Sequence, residues 1–243
     1  MEKLFKKDET LFAILWIVIY VIGFSNADII SETIGMPKAI TACFGLVLSA
    51  LLFIFIRKNL LFEYFGLCGF RGSLQDFLYF IPLVLISSVN LWNGLTLHYD
   101  IPTSILNVVS MCFVGFLEEV IFRGFLFKSM CRSNLRFAII VSSLTFGMGH
   151  IVNLLLGEPL FDTLLQLVYA SAIGFCYTSI FLVGKSILPC IISHALVNSL
   201  STFAVEPSNE EHIFTTVFIT ALSVGYGIWL LYFGHKSQKT CTE

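Results

Sequence analysis

In the stretch 116-FLEEVIFRGF-125 three ionisable side chains, Glu118, Glu119 and Arg123, stand in a run that is otherwise apolar. On a helix Glu119 and Arg123, four residues apart, share a face and can pair. Glu118 points about 100° away from its neighbour and has no local partner. Two more polar sets follow. In 146-FGMGH-150, Phe146 and His150 are four apart with Asn153 one turn further on, and in 194-HALVN-198, His194 and Asn198 again share a face. Carboxylates and imidazoles are the groups that carry protons in general acid–base catalysis. The competing reading is structural: an interhelical salt-bridge cluster and hydrogen-bonded packing histidines.

The surroundings sharpen that choice. The chain is 57% hydrophobic and only 12% charged, with a mean hydropathy of +0.88, well outside the range of a soluble domain. Crossing a bilayer core of about 30 Å takes roughly 20 helical residues. Apolar runs of that order lie at about 11–30, 39–56, 77–93, 104–127, 137–156, 162–183, 186–204 and 213–233. The expectation is an all-α, polytopic transmembrane helix bundle of about eight spans, forming a single membrane domain over 1–243. A membrane barrel would need alternating segments of about ten residues, and these runs are continuous. A charge at mid-span costs about 2.5–3.5 kcal/mol on insertion scales and marks a functional site by default. The polar sets therefore need a reason.

Loop charges give an independent test, because cytoplasmic loops collect Lys and Arg. Lys3, Lys6, Lys7, Arg57, Lys58, Arg71, Lys128, Arg132, Arg136, Lys185, Lys236 and Lys239 fall on one side of an eight-span chain. The other side carries Asp28, Glu32, Asp100, Glu158, Asp162, Glu206, Glu210 and Glu211, and Lys38 as its only base. The predicted topology is N-in, C-in. The basic start and the run at 11–24 are read as a first span rather than a cleaved signal. The seven cysteines show no Cys-x-x-Cys spacing and indicate neither a disulfide framework nor a thiolate metal site. The net charge of −2 gives nucleic-acid binding no support.

Depth along the helices brings the polar sets together. Counted from the cytoplasmic ends, Glu118, His150 and His194 lie at roughly 13–21 Å of helix rise. The three can converge on one cavity in the cytoplasmic half or near the middle of the membrane. Ser142, Ser143, Gly147 and Gly149 would allow close helix approach around His150.

The ordered set Glu-Glu-x-x-x-Arg, Phe-x-x-x-His and His-x-x-x-Asn on successive membrane helices resembles the CAAX protease and bacteriocin-processing (CPBP, or Abi) family of intramembrane endopeptidases. The resemblance covers about 104–204, the expected protease core, and is only architectural elsewhere. It implies peptide-bond hydrolysis by a water that Glu118 and His150 activate, with His194 and Asn198 holding the oxyanion and Glu119, Arg123 and Phe146 organising the site. The chemistry is coherent: a low-dielectric cavity disfavours a carboxylate's anion and makes it a better base, and two donors one turn apart can meet a developing negative charge.

A metal-free site is favoured over a zinc site. There is no His-Glu-x-x-His, and the candidate ligands, Glu118, His150 and His194, are spread over three helices; with zinc bound, those three are the expected set. A non-catalytic immunity or scaffold protein that keeps the fold is the alternative function. Transport is disfavoured because no broken helices recur in matching halves. The expected partners are membrane lipid and a peptide or protein substrate, prenylated or a leader peptide, entering from the cytoplasm or sideways from lipid. Small size favours a bacterial plasma membrane.

Overall fold

The computed structural model describes residues 1–233; the tail bases Lys236 and Lys239, and with them the C-in expectation, lie outside the described residues. Eight helices carry the architecture: α1 (Glu9–Thr33), α2 (Ala39–Lys58), α3 (Ile81–Ser88), α4 (Ile101–Glu119), α5 (Leu135–Met148), α6 (Leu160–Gly184), α7 (Leu188–Ser201) and α8 (Asn209–Phe233). Their starts follow local chemistry. Asp8, Asp100 and Asn134 each accept a bond from the backbone N–H three residues on, satisfying a donor that the first helical turn leaves open. Pro102 and Pro189 sit in first turns, where a missing N–H costs nothing.

The eight expected spans are all present as helical segments, but only six are long and apolar enough to cross a membrane. The run at 77–93 is divided, with 3-10 turns at Gln75–Phe80 and Val89–Leu91 on either side of α3. The run at 186–204 yields only the 14 residues of α7. Both short helices are packed together, α3 against α7. Backbone that leaves the helix at membrane depth is tolerated where protein, rather than lipid, covers it.

Outward faces are apolar, as lipid requires: Ile14, Val18 and Ile22 of α1 and Leu46, Val47 and Leu51 of α2 are exposed. Inward, Phe12, Phe65, Phe125 and Phe127 are buried in one core with Leu117 and Ile121. Around it α5 and α8 flank α6, and α4 runs between α2 and α7. Among the described residues β-structure is limited to one isolated bridge, Leu95 with Ala204. With Thr96 N–H donating to the Phe203 carbonyl at 2.8 Å, it ties the α3–α4 loop to the α7–α8 loop. Both loops stand at the acidic end of the bundle.

Candidate active site

The chain delivers the two glutamates on the last turn of α4, at the point where the helix widens into a fully buried π-helical segment, Val120–Phe127. Such segments are rare and frequent at functional sites. The expected pair forms: Arg123 Nη1 donates to Glu119 Oε1 at 3.0 Å, and neither side chain has any exposed surface. The guanidinium lies 4.1 Å from the centre of the Phe146 ring and 5.5 Å from that of Tyr177, a desolvated cation–π contact. Gly174 of α6 makes room for it, since a Cβ there would stand 3.2 Å from Arg123 Nη2. Glu119 Oε2 and Arg123 Nε and Nη2 find no hydrogen-bond partner among the described residues.

A third partner joins this pair. His194 Nδ1 lies 2.9 Å from Glu119 Oε1. A carboxylate accepts and does not donate, so Nδ1 carries the proton. His194 Nε2 then points the other way, 3.7 Å from Glu118 Oε2. The contact depends on how closely α4 and α7 approach: a Cβ on Gly115 would fall 2.7 Å from the backbone nitrogen of Ala195.

Glu118 is not left without a partner. It is 9% exposed, and Tyr20 of α1 donates to its Oε1 at 2.5 Å. Tyr20 carries no spacing signal, because 98 residues separate it from Glu118. A phenol within an apolar span was the only cue, and only the packing of α1 against the π segment gives it meaning.

Phe146 is the wall common to both imidazoles. Its ring meets that of His150 edge-on at 6.0 Å and that of His194 edge-on at 5.4 Å. His150 opens the 3-10 segment Gly149–Leu156 and lies within electrostatic reach of Glu118 and His194. Asn153 does not join it; its amide donates to Gln166 Oε1 at 2.8 Å. Tyr177 supports α7 from behind by donating to Ser193 Oγ at 2.9 Å, and Ser87 of α3 meets the same hydroxyl at 2.9 Å.

Phe146, His150, Tyr177, His194 and Asn198 line a cavity of about 610 Å³. Glu118 is not among the lining residues and sits behind His194. The mouth is framed by Glu158, Asp162, Glu206 and His212, with His212 Nδ1 bonded to Asp162 Oδ1 at 3.0 Å. An opening toward the basic loops or sideways to lipid was expected; the cavity is lined toward its mouth by the acidic loops. The reason is packing: Phe65, Phe127, Phe181 and Ile187 fill the basic end with buried core. Among the described residues no group of three His, Cys, Asp or Glu side chains is placed to hold one metal ion. Glu118, His150 and His194 therefore do not form a ready ligand set.

Residues 101–200 match the family model described as Rce1-like, type II CAAX prenyl endopeptidase Rce1-like. The matched segment agrees with the resemblance that the three motifs carry, and it contains every motif residue but not Tyr20. No curated protein and no solved structure matches the chain.

Proposed function

We propose that this integral membrane protein, whose segment 101–200 matches the Rce1-like CAAX prenyl endopeptidases, is an intramembrane endopeptidase that cleaves a membrane-associated protein or peptide. The observation that carries the reading is the meeting of polar side chains from separate helical segments: Glu118 Oε2 faces His194 Nε2 at 3.7 Å, and His194 lines a cavity together with His150 and Asn198. A merely structural salt bridge needs Glu119 and Arg123 alone. It does not need a second carboxylate turned toward an imidazole.

In the proposed mechanism a water enters between Glu118 and His150. Glu118 takes one of its protons as the oxygen attacks the scissile carbonyl carbon. The carbonyl oxygen gains the negative charge and is met by the Asn198 amide and by His194 Nε2. With Nδ1–H committed to Glu119, His194 donates from Nε2 only as an imidazolium, and Glu119 is placed to balance that charge. Glu118 then passes the proton to the departing amine as the C–N bond breaks. Arg123 prevents Glu119 from standing as a second uncompensated carboxylate beside Glu118. The proposed chemistry uses no metal, and the proposed setting is a bacterial plasma membrane.

The test is direct. Reconstituted wild-type protein should cleave either a prenylated CAAX-type peptide or one of the cell's small peptide precursors, with products read by mass. Glu118→Gln keeps the shape and removes the base, so products from that variant at the wild-type rate would refute the assignment.

A further inference from the structure

The cavity carries a hydrogen-bond acceptor that the proposed chemistry does not use. Much of the polar lining is spent inside the protein: Tyr177 donates to Ser193 Oγ at 2.9 Å, Gln166 Oε1 takes the Asn153 amide at 2.8 Å, and Asp162 Oδ1 is bonded to His212 at 3.0 Å. Glu158 and Glu206 are exposed at the mouth. His150, His194 and Asn198 belong to the proposed hydrolysis. Asn90 is a different case. It lines the same cavity from the 3-10 turn Val89–Leu91 that follows α3, and its Nδ2 donates to the Val197 carbonyl of α7 at 2.7 Å. Only the amino side of an amide donates, so this bond fixes which way the group is turned. Oδ1 is directed away from that carbonyl, and among the described residues no hydrogen bond to it is found. Ser87, three residues earlier, shows what a purely structural contact looks like here. It is buried, its hydroxyl meets Ser193 Oγ at 2.9 Å, and it does not line the cavity. Ser87 already ties α3 to α7.

We infer that Asn90 is a substrate-binding residue, whose Oδ1 accepts a hydrogen bond from a main-chain N–H of an extended peptide beside the scissile bond. It rests on the proteolytic reading for the position of that bond. Val197 stands next to Asn198 and three residues beyond His194, about 4.5 Å along α7 at helical rise. An extended peptide advances about 3.3 Å per residue. A scissile carbonyl held at His194 and Asn198 therefore brings a main-chain N–H one or two residues away to Asn90. Recognition of this kind keeps a peptide in register without reading its side chains, and the Val197 carbonyl holds the amide in the orientation required. Asn90 lies outside the segment 101–200.

Paired changes in protein and peptide test the bond. The parent is the Glu118→Gln protein in detergent, which lacks the proposed base, so that binding is read without turnover. The probe is a fluorescein-labelled prenylated CAAX-type peptide followed by anisotropy. Asn90→Ala should raise Kd about two- to tenfold, the range of one neutral hydrogen bond, with the melting temperature little changed. In a series of peptides, each backbone N–H within two residues of the scissile bond is replaced in turn by an ester oxygen. One member should lose a similar factor on the parent protein, yet bind the Asn90→Ala protein as well as the all-amide peptide does, because coupled changes do not add. A packing role for Asn90 gives no such coupling. Additive losses at every position would overturn the inference, and so would absence of binding to the parent protein. Asn90→Ser carries the same cycle if Asn90→Ala does not fold. Cleavage of the peptide by wild-type protein reports on the proteolytic reading alone, so each can fail without the other.

Discussion

His194 and Glu119, 75 residues apart in the chain, are joined by a 2.9 Å hydrogen bond from Nδ1 to Oε1. The same carboxylate oxygen takes Arg123 Nη1 at 3.0 Å. One buried acid thus neutralises a guanidinium, fixes the tautomer of an imidazole and turns Nε2 toward Glu118. Glu118, one residue earlier, is committed to none of these tasks. In the proposed mechanism it is the one left for proton transfer, because its neighbour does the structural work.

The two glutamates should therefore fail differently. Glu119→Gln leaves Arg123 buried without its counter-charge, a defect that costs about 3–5 kcal/mol in comparable cases. We expect Glu119→Gln to lose both hydrolysis and thermal stability in detergent. Glu118→Gln should lose hydrolysis while its melting temperature stays near that of wild type. A stable Glu119→Gln protein would show that the triad with Arg123 and His194 is not what holds α4 to α7.

Asn198 lines the cavity, and among the described residues no hydrogen bond of its side chain is found. Its amide is therefore free to meet an oxyanion. Removing one such donor costs about 10²- to 10³-fold in kcat in known cases. Asn198→Ala should show a loss of that order with KM and melting temperature little changed, as measured by steady-state kinetics on the peptide substrate. A rise in KM alone would make Asn198 a binding group instead.

Gly115 sets the distance on which the site depends. With a would-be Cβ 2.7 Å from Ala195 backbone nitrogen and 2.9 Å from its Cα, there is no flexible side chain to yield. Gly115→Val must separate α4 from α7, and overpacking of this kind costs typically about 1–3 kcal/mol. We expect lowered thermal stability together with loss of hydrolysis. A cysteine pair bridging α4 and α7 near the site should crosslink in wild type and fail to do so in the variant.

Much of this arrangement was legible in the sequence, and the parts that were not share a cause. Helical periodicity exposed the Glu119–Arg123 pair, the shared face of His194 and Asn198, and the runs that became helices, because each is local. The Glu119–His194 bond and the Tyr20–Glu118 bond join residues on different helices, whose relative rotation no spacing rule contains. Hydropathy likewise does not tell α3 and α7, helices of 8 and 14 residues, from the longer ones. An apolar run reads the same whether it folds as one long helix or as a short one between turns. Loop charge distinguishes the two ends of the bundle, but which of them opens depends on aromatic packing at the other.

Chelation separates the two ways of activating water. A site built on Glu118 as base should keep its rate after prolonged incubation of purified, active protein with a strong chelator, and metal analysis of that protein should show no stoichiometric zinc. Loss of activity on chelation, restored by zinc but not by magnesium, would require Glu118, His150 and His194 to close around an ion.

Tyr20 contributes to the site from outside the segment 101–200. Its hydroxyl occupies Glu118 Oε1, which leaves Oε2 as the oxygen directed at His194 and available to water. The ring itself packs on Phe24, centroids 4.8 Å apart, and that contact survives in Tyr20→Phe. Hydrogen bonds to charged groups are worth about 1.5–3 kcal/mol, enough to hold a carboxylate in one rotamer. If the phenol positions the base, Tyr20→Phe should lower kcat about tenfold with KM unchanged and the melting temperature nearly so. If Tyr20 serves packing alone, kcat will stay at the wild-type value. Should kcat instead rise, the phenol would be restraining Glu118, and opening of that hydrogen bond would become a step in the catalytic cycle.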